Sequence, residues 1–151
     1  MTRKTEPSAA GRPPQGVGSL ASVTTHTASR AVDFTPEERR EALRPIASLI
    51  GKSEKALQKL KPGTWQHAML RDNLAALRLG TALLNPEAGA AAGFARDELQ
   101  KALRALASMI SRTEKALAKF APGTSPHSLS RNRLQALRRA EALVAARLDG
   151  R

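Results

Sequence analysis

The chain has 151 residues, 41% of them apolar, which gives room for one compact domain or two very small ones. Aromatic residues make up only 3% and tyrosine is absent, so the core must be built from Leu, Ala, Ile and Val, a composition that suits helices better than sheets. The lack of cysteine excludes disulfides, thiolate metal sites and cysteine nucleophiles, while a net charge of +12 makes a polyanion a partner to consider.

Residues 1–32 are rich in Pro, Gly, Ser, Thr and Ala without lasting periodicity, and read as a disordered basic tail. Their acid-poor composition is similar to a transit peptide or an unstructured secretion signal, but the clustered Pro and Gly oppose the amphipathic helix that a transit peptide uses. No signal-peptide core and no apolar run of roughly 18–20 residues occurs, so a cytoplasmic protein is expected, with export or organelle targeting through the tail as the alternative.

Regular structure is expected to begin at Phe34-Thr35-Pro36-Glu37-Glu38. Thr35 suits an N-cap, Pro36 the first helical position and Glu38 a capping box, with Phe34 placed as a hydrophobic staple. The apolar spacing then predicts α1 over 36–60 and α2 over 65–84, a linker over 85–93, α3 over 95–120 and α4 over 125–148. Pro45 falls inside α1, where a kink or a restart is expected, and Asn85-Pro86 stops α2.

The chain repeats itself. SEKALQKLKPGTWQHAMLR at 53–71 returns sixty places later as TEKALAKFAPGTSPHSLSR, and 34–84 aligned with 94–144 gives 24 identities in 51 positions without a gap. That period is longer than those of the short solenoid repeats. The expected fold is therefore all-α: two copies of an antiparallel helical hairpin (34–84 and 94–144) packed as a four-helix bundle within a helical domain of residues 33–151. On α1 the stripe is Ala42, Leu43, Ile46, Leu49, Ile50, Leu57 and Leu60; on α2 Leu70, Leu74, Leu77 and Leu84 form the seam, and Leu134, Leu137 and Val144 repeat most of it. Arg133 and Arg147 fall on the flank of the α4 stripe, so α4 should be the wetter helix.

The repeated polar residues first suggest structural roles. Gly63 and Gly123 suit a left-handed residue after a helix, and Thr64 and Thr124 suit caps for the next one. His67 and His127 stand three places after those caps, where a side chain can reach back to the cap N–H; the competing readings are a histidine in a binding cleft or a metal ligand. Glu54 with Arg71 and Glu114 with Arg131 have the register of cross-hairpin ion pairs. His67, Arg71 and Arg78 share one edge of α2, repeated by His127, Arg131 and Arg138 on α4, which is either a solvated face or an anion-holding one. Trp65 is replaced by Ser125 in the second copy, so it either covers the hairpin end or anchors a partner.

Net charge is +3 over 1–32, +2 over 33–90 and +7 over 91–151. No Ser/His/Asp order, glycine-rich phosphate loop or facing acid pair is present, so neither enzymatic activity nor a cofactor or metal is expected. The expected function is a small non-enzymatic interaction module for a protein partner, with the oligomeric state left open. The alternative is sequence-nonspecific binding of nucleic acid or another polyanion through the tail and the Arg-rich last helix (Arg131, Arg133, Arg138, Arg139, Arg147 and Arg151). Against that alternative stand the scarcity of aromatic residues for stacking and the lack of a helix-turn-helix spacing.

Overall fold

Thr35 starts the first helix in the manner its neighbours dictate. In a computed structural model, which describes residues 33–88 and 93–149, Thr35 Oγ1 accepts the Glu38 N–H at 3.0 Å and Glu38 Oε1 accepts the Thr35 N–H at 2.9 Å. This closed capping box satisfies two helix-end donors and launches α1, Pro36–Gln58. The helix does not restart at Pro45. Proline removes one intrahelical hydrogen bond at a cost of roughly 3 kcal/mol, but Ala42 and Ile46 on either side are almost wholly buried and hold the chain helical through it. The staple also differs from expectation. The residue that Phe34 would have to meet on α1 is Arg39, which is not apolar, and the ring lies under the Arg139 guanidinium of the last helix instead.

The remaining helices are α2, Trp65–Leu84; α3, Arg96–Lys119; and α4, Ser125–Leu148, with a 3₁₀ turn at Pro86–Ala88 after α2. All ends fall within two residues of the expected ones. Ala95 has no side chain to cap α3, yet Glu98 Oε1 still accepts its N–H at 2.8 Å, so half of the box survives. Gly63 (φ 92°) and Gly123 (φ 88°) take the left-handed conformation in the two tight turns. Among the described residues there is no strand, and no helix is long and apolar enough to cross a membrane. The tail over 1–32 and the middle of the linker lie outside the described residues.

The helices form an up-down-up-down four-helix bundle within one compact unit beginning at Phe34. α1 packs on α2, α2 on α3, α3 on α4 and α4 back on α1, while α2 and α4 also touch across the centre. Both tight turns therefore lie at one end of the bundle. At the other end each hairpin is tied by an arginine from its first helix. Arg39 Nη1 donates to Leu83 O at 3.1 Å and Arg96 Nη1 to Leu148 O at 3.3 Å, placing a cation at the negative terminus of the neighbouring helix.

The largest fully buried side chains are Ile46, Leu77, Leu84, Leu106, Leu137 and Val144, three pairs that stand sixty places apart. The core sits toward the arginine-tied end. Leu57, Leu60 and Leu117 near the turns are only half-buried and Phe120 is 38% exposed, although the apolar stripes run on to them. Nine residues of α2 are buried against six of α4, so the last helix is the wetter one.

Candidate interaction surfaces

The phrase repeated at 53–71 and 113–131 is a hairpin device in the structure. Thr64 Oγ1 accepts the His67 backbone N–H at 3.2 Å, and Thr124 Oγ1 accepts that of His127 at 3.3 Å. The histidine side chains do not close the boxes. The cap N–H groups of Thr64 and Thr124 point back into the turn and donate to Lys61 O and Ala121 O, so no donor is left for an imidazole to accept. His127 Nδ1 is shielded from solvent without a hydrogen-bond partner. Among the described residues no group of three or more His, Asp or Glu side chains is placed to hold a metal ion.

The cross-hairpin ion pairs exist with different partners from those the register suggests. Glu54 Oε2 accepts from Arg78 Nη2 at 2.6 Å, and Glu114 pairs with Arg138 in the same way; Arg71 and Arg131 take no part. The reason is the lean of helical side chains toward the N-terminus. On α1 that direction is away from the turn, and on α2 it is toward the turn. A glutamate on the first helix therefore meets an arginine two turns farther up the second. The expected His–Arg–Arg edge is thus divided: Arg78 and Arg138 serve the hairpin, while Arg71 and Arg131 have no carboxylate partner among the described residues.

The arginines of α4 are largely occupied by the fold. Arg139, only 13% exposed, donates from Nη1 to Glu38 O at 2.7 Å, pairs with Glu41 Oε1 at 3.4 Å, and lies 5.8 Å from the Phe34 ring centroid. Arg133 is half-buried with its Nε shielded and unpartnered, and Arg147 is half-buried and engaged. Arg151 lies outside the described residues. Arg131 alone among the singled-out α4 arginines is exposed and without a carboxylate partner.

Two grooves between helices follow from this arrangement, and position-by-position reading had not revealed them. One runs between α2 and α3, with a volume of about 550 Å³; its floor is formed by Ala75, Ala76, Leu79, Ala82, Phe94 and Ala102. It continues toward the turns past Ala68, Met69 and Trp65, facing Lys101, Arg104 and Ser108. Trp65 is 69% exposed at this end, and Arg112 Nη1 approaches Met69 Sδ at 3.7 Å. The α1–α4 groove is built from the positions sixty places away, but Gln135 stands for Ala75 and Arg139 for Leu79, and these longer polar side chains line it. The first groove keeps an alanine- and leucine-lined floor, whereas the second is narrower, with spaces of about 370 and 420 Å³ lined by Gln135 and Arg139.

The signal for this asymmetry was present in the sequence as the places where the copies differ. Its meaning depends on which helix faces which, and that only the packing supplies. A comparison with protein-family models, curated proteins and solved structures finds no match to this chain.

Proposed function

We propose that the protein is a non-enzymatic helical interaction module whose α2–α3 groove takes one amphipathic helix of a partner protein, its outer flank acidic. The observation that carries this reading is the difference between the two grooves: Ala75, Leu79 and Trp65 make one apolar and wide, about 550 Å³, where Gln135, Arg139 and Ser125 make the other narrower and polar-lined. From Trp65 to Ala82 the groove spans eighteen residues of helix, about 25 Å, which matches a partner helix of similar length. Alanines along its floor let a second helix approach at the usual 8–10 Å. Trp65 stands at one end as an aromatic anchor of the kind that dominates docking energy.

Charge favours an acidic partner. Arg71, Lys101 and Arg104 border the groove without a carboxylate partner among the described residues and outnumber Asp72, while the Glu98 carboxylate is held by the Ala95 N–H. These cations add on-rate and orientation, and the buried apolar contacts hold the complex.

The test uses a display library of helical peptides selected against the full chain. Selected peptides should carry an i, i+3, i+4, i+7 apolar stripe beside Asp or Glu. Their binding should fall at least tenfold on Ala75→Gln with Leu79→Arg, residues that occupy the equivalent positions 135 and 139. Peptides that bind this variant as tightly as the unchanged chain overturn the reading.

A further inference from the structure

Both Pro-Gly-Thr turns lie at one end of the bundle, and the residues beyond the helix ends, 59–64 and 120–124, form its tip. Over 55–71 and 115–131, the stretches that build this end, seven Lys and Arg stand with no Asp or Glu, and all seven are exposed. Glu54 and Glu114, which flank these stretches, are already held by Arg78 and Arg138, and Asp72 lies two turns up α2 from the tip. Lys59, Lys61 and Lys119 stand in the turns or at their edge. Arg71 and Arg131 lean toward the tip from α2 and α4, because helical side chains tilt toward the N-terminus. The N-termini of those two helices add the positive poles of their dipoles.

The same end carries the apolar surface. The exposed large apolar side chains among the described residues, Trp65, Phe120 and Leu129, all fall within these stretches. Trp65 is the first residue of α2, so its tilt carries the indole away from the core and toward the tip. The repeat does not require either aromatic: Ser125 stands for Trp65, and Leu60 stands for Phe120. Phe34 and Phe94, by contrast, are equivalent in the repeat and half-buried. Each hairpin thus brings one exposed aromatic of its own to an end already crowded with cations.

We infer that the tip docks end-on against the surface of an anionic lipid bilayer. Trp65 and Phe120 enter the interfacial layer, and the surrounding lysines and arginines meet lipid headgroups from one side, without crossing. Helices 8–10 Å apart give an end face roughly 20 Å across, about 400 Å². A stable protein interface takes about 800 Å² from each partner, so this face is small for a protein. A bilayer is planar, and cations ringing the tip reach it from every side of the bundle at once. It also receives both kinds of side chain, aromatic rings at headgroup level and lysine stems with their charge in water. A nucleic-acid backbone would take the charge and leave Phe120 and Leu129 in water. The site shares Trp65 and Arg71 with the α2–α3 groove, so bilayer and partner helix compete there, but it does not rest on that reading.

Trp65 is the chain's one tryptophan, so its fluorescence reports on this site directly. The experiment adds the full chain to vesicles of phosphatidylcholine with about 30% phosphatidylserine, and to phosphatidylcholine alone. The anionic vesicles should shift the Trp65 emission to the blue, and lipids brominated near the headgroup should quench it; neutral vesicles should do neither. Lys59→Gln/Lys61→Gln/Lys119→Gln should weaken vesicle binding about a hundredfold at low salt, at about fivefold per charge. Phe120→Ser should weaken it about tenfold and leave its salt dependence unchanged. Helical circular dichroism of the variants checks that the substitutions act on binding. Vesicle binding with no change at Trp65 would place the contact elsewhere on the chain and overturn the inference. Equal binding to neutral vesicles, or binding to a DNA duplex with none to anionic vesicles, would overturn it as well. Peptide capture by the α2–α3 groove should survive the three lysine substitutions, so a failure of one site is distinguishable from a failure of the other.

Discussion

Gly80 of α2 and Ala140 of α4 meet where the two helices touch across the centre of the bundle: a methyl group built on Gly80 would stand 3.0 Å from the Ala140 Cβ. The two positions are sixty apart, so the hairpins touch there at equivalent places in the repeat. Gly80→Ala gains roughly 1 kcal/mol of helix propensity. The Ala140 Cβ is fixed to a helix backbone and cannot rotate away, so the helices must part, a strain of about 1–3 kcal/mol. The net expectation is a loss of stability in urea melts. Adding Ala140→Gly to Gly80→Ala should restore much of it, with a coupling energy of about 1 kcal/mol or more in the double-mutant cycle. Additive effects would show that the helices do not constrain each other there.

Arg139 lines the α1–α4 groove and ties α4 to the start of α1. Arg139→Ala deletes a charge-assisted bond to Glu38 O and the stacking on Phe34, and should cost about 1–3 kcal/mol. Arg139→Leu should cost less. Leu79 occupies the equivalent place on α2, 6% exposed in the groove that Phe94 also lines, so an apolar side chain suits this setting. Chemical denaturation of both variants checks the order, and Leu falling below Ala would contradict it.

Most of the fold was legible in the sequence because its signals are local and repeated. Thr35 with Glu38, the Pro-Gly-Thr turns and the apolar spacing each act within a few residues, and they set four helices within two residues of their ends. The ion-pair partners were not legible in this way. A register counted from the turn ignores the opposite lean of side chains on antiparallel helices, and so selects Arg71 where Arg78 is the residue reached. The interaction surfaces were harder still. Arginines counted as free charge on α4, Arg139 above all, turn inward to cap and stack.

Three glycines separate backbone effects from packing. A Cβ built on Gly51, Gly63 or Gly123 meets nothing within 4 Å, so contact plays no part at any of them. Gly51 lies inside α1, and Gly51→Ala should stabilise by up to about 1 kcal/mol. Gly63→Ala and Gly123→Ala place a side chain at positive φ and should each cost about 1–2 kcal/mol, additively. Thermal melts that rank all three alike would show that the turns do not require the left-handed conformation.

The Glu54–Arg78 and Glu114–Arg138 pairs lie at the surface, each partner about half exposed. Solvent screening limits each to about 0–1 kcal/mol. Glu54→Gln and Glu114→Gln should therefore lower the melting temperature by a few degrees at most, and the difference from wild type should vanish near 1 M NaCl. A loss that persists at high salt would mean that the glutamates act through something other than charge.

The α1 cap gives stability a defined dependence on acid. The Thr35 backbone N–H donated to Glu38 holds its carboxyl below the usual glutamate value, helped by the Thr35 hydroxyl and the Arg139 charge, while desolvation opposes them. A group whose folded pKa is depressed adds stability above its unfolded pKa, and that contribution is lost as pH falls through the folded one. Glu38→Gln keeps an acceptor for the Thr35 N–H but carries no charge at any pH. The variant should melt below wild type at neutral pH, and the gap should close on acidification from the ordinary glutamate range downward. A gap of constant size across that range would place the effect in the geometry of the amide. A gap that widened in acid would reverse the sign and remove the charged cap as its cause.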